Sequence, residues 1–189
     1  MYSHAFDGLS LRGSRWALAC AAALLLAGLV VPANAAEASG HNLRSEAPVM
    51  WEWDDASTVG RSLLVRNGHG LGTVLEASGL TPGDAVTLWV AVFNNPAACA
   101  TTPCGRPADV QNPQARADLF WVDGVVVGDD GTARFTGTVR VGQLAHSLKA
   151  EVGLAPPVPL EDPFGSEVAL ALHSHGPAQT GDLLYEQLT

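Results

Sequence analysis

Hydrophobic and polar positions along this 189-residue chain follow two regimes. The first is one continuous apolar span over 16–31, preceded by Arg12 and Arg15 and followed by Pro32-Ala33-Asn34-Ala35-Ala36. Beyond it, apolar residues come in short runs interrupted by Gly, Pro, Asn and Asp, the punctuation of antiparallel sheets rather than helices. Strands are predicted at 62–66, 71–77, 85–93, 119–127, 132–141, 167–172 and 183–188. In Thr87-Leu88-Trp89-Val90-Ala91-Val92-Phe93, β-branched and aromatic residues dominate, as suits stiff side chains on a pleated surface. Gly128-Asp129-Asp130-Gly131 is predicted to turn a hairpin between the runs at 125–127 and 132–135, because Asp and Gly tolerate positive φ. Gly79-Leu80-Thr81-Pro82-Gly83 predicts a second turn. A helix is expected only over 142–150, and the proline-rich stretch 153–164 is expected to run extended across the surface. The fold predicted is therefore all-β: an antiparallel β-sandwich of about seven strands and immunoglobulin-like size over 58–189, with a closed barrel as the second choice.

The first apolar span changes the picture of where this sandwich works. Basic residues, an apolar core and an Ala-x-Ala site at Ala33 to Ala35 read as a cleavable signal peptide over 1–35, and hence as a secreted or periplasmic protein. Cys20 lies at the start of the span, not at its end where a lipid-modified cysteine would sit. No later run is long enough to cross a bilayer, so no membrane span is expected after processing. Processing leaves Cys99 and Cys104, close enough in sequence to pair as a disulfide in an oxidising compartment. The segment 36–57 reads as an N-terminal tail ending near Trp51 and Trp53. A formal net charge of -9 argues against nucleic acid as a partner and against anionic lipid surfaces.

Candidate chemistry is sparse. His173-Ser174-His175 follows an apolar run, and residues two apart on a strand share a face, so both imidazoles could reach one copper or zinc ion. His69 and His146 are candidate third ligands. The competing reading has both histidines bonded to neighbouring backbone before the turn at Gly176-Pro177. No Gly-x-Ser-x-Gly elbow exists, and Asp54-Asp55, Asp129-Asp130 and Glu161-Asp162 fall in turns or tails where adjacent carboxylates point apart. No catalytic residue is assigned. Trp51 and Trp53, two apart, offer a possible binding surface for a protein or carbohydrate ligand. The function expected is an exported, non-catalytic binding or structural sandwich. The alternative is a metal-binding protein or metal-dependent enzyme using His173 and His175. Self-association through an edge strand at 183–188 is a further expectation.

The frame Gly79-Leu80-Thr81-Pro82-Gly83, the aromatic strand, Gly128-Asp129-Asp130-Gly131 and His173-Ser174-His175-Gly176-Pro177-Ala178 resembles secreted chordin-type (CHRD-like) modules. With its Phe-Asn-Asn-Pro…Cys loop, the chain resembles more closely uncharacterised bacterial exported proteins. The resemblance spans most of 71–188 and implies the same sandwich, with no established activity. Leu88-Trp89-Val90 stands where a chordin-type module usually carries a more regular histidine pattern. Copper-zinc dismutase, which shares a Gly-Leu-x-Pro-Gly turn, needs His-x-His there, so dismutase activity is not implied.

Overall fold

The computed structural model describes residues 42–51, 54–105, 107–153 and 156–189. The leader expected over 1–35, Trp53 and the side chain of Trp51 lie outside the described residues.

Seven strands form among the described residues: β1 (Leu43–Trp51), β2 (Asp54–Asn67), β3 (Gly70–Ala77), β4 (Asp84–Phe93), β5 (Ala117–Val126), β6 (Ala133–Arg140) and β7 (Glu167–Pro177). They make two antiparallel sheets, one ordered β1-β2-β3-β6 and the other β5-β4-β7. The fold is a β-sandwich. Period-two alternation drives it: Leu71, Leu75 and Ala77 of β3, Phe135 and Val139 of β6, and Val168, Leu170 and Leu172 of β7 all turn into one core. Phe120, Phe135, Leu75, Leu88 and Leu160 are fully buried there. Burying a side chain of that size contributes about 1.5–3 kcal/mol, so this inter-sheet layer dominates stability.

β4 shows no such alternation, being buried at nearly every position. Its even residues enter the inter-sheet core, while Ala91 and Phe93 join a second cluster with Ala117, Leu119 and Cys104 on the outer face of the three-stranded sheet. The segment between Phe93 and Ala117 folds over that face through two short 3-10 turns and α1 (Pro107–Gln111). A strand covered on both sides reads as a continuous apolar run, which is what 85–93 shows. Asn94 clips this region together: its amide donates to Arg116 O and Pro159 O, and its oxygen accepts from Glu161 N and Ser166 Oγ.

The structure departs from the sequence expectations in four places. The chain end is a helix, α3 (Asp182–Leu188), so the edge strand expected at 183–188 and the self-association built on it have no basis there. Leu184, Gln187 and Leu188, spaced at helical intervals, are half-buried, while Leu183 and Tyr185 stay exposed. Second, Gly128-Asp129-Asp130-Gly131 does turn the chain, but as an arch between sheets: β5 pairs with β4, and β6 pairs with β3. Gly83 N donates to Val127 O and Leu80 N to Gly131 O, so the 79–83 turn seats the arch in place of a hairpin ladder. Third, β1 and the start of β2 lie within 36–57, where Val49 reaches the core while Arg44 and Glu46 stay exposed. Fourth, the proline-rich stretch is anchored: Leu160 enters the core and bridges to Val141. The helix of the 142–150 region is α2 (Leu148–Val152), capped by Ser147 Oγ accepting from Ala150 N.

Candidate functional site

His173 and His175 stand on β7, on the outer face of the three-stranded sheet, because Val168, Leu170 and Leu172 take the inward positions. Their rings meet edge to face, with centroids 4.6 Å apart. Nε2 of His175 lies 3.0 Å from Thr87 Oγ1 on the neighbouring strand, and the Trp89 indole N–H donates to the same hydroxyl at 3.0 Å. Thr87 is almost fully buried, so the two rings satisfy a hydroxyl that would otherwise be costly inside the sheet. With Trp89 donating, the single Thr87 hydroxyl hydrogen faces two acceptors, His175 Nε2 at 3.0 Å and the longer His173 O at 3.5 Å, and the closer one suits a neutral imidazole. Burial, and then the neighbouring His173, both hold the His175 pKa below the ordinary histidine value. Ser174, between them, donates to Asp84.

The pair gathers no third ligand: among the described residues, no group of three His, Cys, Asp or Glu side chains could hold a metal ion. His69 sits in the β2–β3 turn, where its carbonyl accepts from Val141 N. His146 stacks on Trp121 instead, with ring centroids 5.1 Å apart and planes tilted by 57°. Cys99 and Cys104 form the expected disulfide, with Cα atoms 5.6 Å apart. The loop around it is held by carboxylates that the sequence did not flag. Buried Asp109 accepts from Ala100 N and Thr101 Oγ1, and Glu167 accepts from Cys104 N. Asp130 has its carboxyl pKa lowered by two bonds from Thr132, which marks it as a turn residue.

A different concavity gathers the features expected of a ligand site. A groove of about 580 Å³ runs along the side of the sandwich where the end strands β5 and β6 face each other. Its lining includes Trp121, His146, Arg140, Thr138, Leu144 and Gln143. Trp121 lies opposite Trp89 in the β4–β5 register, next to a bulge between Leu88 and Trp89 that re-aims β5. His146 has φ 62°, a left-handed conformation that costs a non-glycine residue on the order of 1 kcal/mol. Three contacts hold it there: Trp121 N donates to His146 O, Phe120 bridges to Ser147, and the rings stack. Ser147 is in turn fixed by donating to buried Asp118. Trp121 Nε1 is buried without a hydrogen-bond partner, and the Arg140 side chain is exposed. No single motif announced this groove, whose residues come from two sheets and a loop.

Among known proteins, no family model matches the chain, and neither a curated protein nor a solved structure matches it.

Proposed function

We propose that this protein is an exported, non-catalytic β-sandwich module that binds a ligand along its β5–β6 side. The observation that carries this reading is the groove itself. It joins an aromatic pair, exposed Val141 and Leu144, and an exposed guanidinium, and its lining holds no serine, cysteine or carboxylate. Such a surface, with aromatic, apolar and cationic groups side by side, has the means to hold a molecule. Its volume falls within the usual range for small-molecule sites, about 300–1,000 Å³. Export is supported by the apolar leader, preceded by Arg12 and Arg15 and ending in an Ala-x-Ala site, and by a disulfide that an oxidising compartment would keep.

The contact between the His173 and His175 rings favours a second reading, a copper or zinc protein. Elemental analysis of the processed protein separates the two. Substoichiometric metal, unchanged in His173→Ala/His175→Ala, is expected; near-stoichiometric copper or zinc lost in that double variant would replace the binding-module reading. Fractionation of cells making the full chain is expected to show a shortened product outside the cytoplasm. An unprocessed cytoplasmic product would refute export.

A further inference from the structure

We propose that the β5–β6 groove binds an acidic oligosaccharide, a pyranose chain carrying carboxylates. This inference rests on the binding-module reading and names the ligand class of the same site.

The charge of the lining points to the class. The chain as a whole carries -9, yet the groove contains no aspartate or glutamate and does contain Arg140 and His146. Among the described residues, no hydrogen bond or ion pair engages the Arg140 guanidinium, which can grip a carboxylate with two parallel bonds. Of the other basic side chains on the same sheet surface, Arg61 and Arg134 both pair with Glu76, and Arg44 stands on β1, at the far edge of the sheet from β6. A local positive site on an acidic protein selects anions.

The aromatic pair points to a sugar. Trp121 and His146 form a tilted shelf against which the apolar C–H face of a pyranose can pack, with polar atoms at its rim. Trp121 Nε1, buried and unpartnered, is a donor awaiting an acceptor. His146, whose ring stacks on the same indole, is held beside it in a left-handed backbone conformation.

The edge of β6 argues against an extended peptide adding as a strand. Thr136 N already donates to Asp123 Oδ2 and Arg140 N to Gln143 Oε1. By the alternation of an antiparallel ladder Thr138, between them, is the residue that turns both its N–H and its C=O to the groove. Side chains from β5 and the following loop thus blunt the edge at both ends, and a pairing strand would have to displace both.

Calorimetric titration of the processed protein with trigalacturonate, and with the neutral galactose trisaccharide of the same linkage, tests this. Trigalacturonate is expected to bind more tightly than its neutral counterpart. Arg140→Gln is expected to weaken it by about tenfold or more, removing the preference. His146→Gly, which accepts the same φ and so keeps the loop, is expected to weaken both sugars alike. Circular dichroism confirms that each variant is folded. Equal affinity for the two sugars, or acid-sugar binding unchanged by Arg140→Gln, would overturn the inference. So would an extended oligoglutamate binding as tightly as trigalacturonate, since charge alone would then account for the site. A flat isotherm with every sugar overturns the ligand class only; the binding-module reading is judged separately by metal content and export.

Discussion

Asp118 is where a single atom change tests both the loop architecture and the groove. The residue is fully buried, at 0% exposure, on β5. Its Oδ2 accepts from Ser147 Oγ at 2.7 Å and Val158 N at 2.9 Å, and its Oδ1 accepts from Leu119 N at 2.8 Å. Lys149 N is a weaker fourth donor at 3.4 Å. One carboxylate therefore ties the strand to the loop that carries His146 and to the proline-rich stretch. Asp118→Ala leaves the buried Ser147 Oγ–H and the half-buried Val158 N–H without their acceptor, and each buried donor left unmade costs about 1–3 kcal/mol. The sum, about 2–6 kcal/mol, is partly offset because a carboxylate no longer needs to be desolvated, which places the expected loss near 3–4 kcal/mol. Asp118→Asn keeps the shape but turns an NH2 toward two of the donors, and a loss of about 2–3 kcal/mol is expected. Urea unfolding of the processed protein measures this, with the denaturant slope unchanged if only the native state is affected. Hydrogen exchange should show faster opening over 142–152 and 156–160. A loss under about 1 kcal/mol with both loops still protected would refute the claim that this carboxylate holds them.

Three further outcomes follow from the geometry. The His175 pKa is depressed in the folded protein, so the unfolded chain takes up the proton first; its contribution to stability is whole above about pH 6.5 and is lost as pH falls toward and through the folded value. His175→Gln, which can still meet Thr87, should flatten the midpoint-versus-pH curve between about pH 7 and 5, and an unchanged slope would reject that assignment. Reducing Cys99–Cys104 opens a short loop, which costs about 2 kcal/mol at most. Proteinase K, which needs no basic residue, should then cut within 94–116 while the sheets stay intact, and a global loss of strand signal by circular dichroism would contradict the local role. A Cβ on Gly124 would sit 2.2 Å from Leu188 O, so Gly124→Ala should lift the end of α3 from the sheet at about 1–3 kcal/mol. Limited proteolysis at the C-terminus reads this directly, and a helix still resistant to cleavage would show that α3 docks elsewhere.

The two-layer architecture was legible because each strand states its own burial. Leu71, Leu75 and Ala77, or Val168, Leu170 and Leu172, alternate with partly exposed neighbours, and that period is enough to call for a sheet with one wet face. The β-branched and aromatic content of 85–93 called for a strand, and its burial on both faces came only with the structure. The C-terminal helix was missed because seven residues, Asp-Leu-Leu-Tyr-Glu-Gln-Leu, are too short to separate a helical stripe from a strand. What decides it is tertiary: Gln187 reaches back to His175 O and Pro177 O and accepts from Gln179 N, contacts that only a helical return can make. The pairing of Cys99 with Cys104 and the shared face of His173 and His175 were legible for the opposite reason, since closeness in sequence there guarantees closeness in space.

The groove was illegible, and the arch at 128–131 shows why. Its turn residues report that the chain reverses, but they are the same whether the next strand joins its own sheet or the opposite one. Had β6 paired with β5, Phe120 and Val127 would share a face with Phe135 and Val139, and the inter-sheet core would lose one of its walls. As an arch, the chain sets these residues opposite one another across the core, and β5 and β6 become the end strands of separate sheets. Only that arrangement leaves a cleft between them. Trp121 and His146 then meet because Asp118 and Ser147 draw the following loop along the exposed edge of β5. Each of these steps is set by burial or by a polar bond between residues distant in sequence, so the site comes from how the sheets are partitioned and carries no local motif.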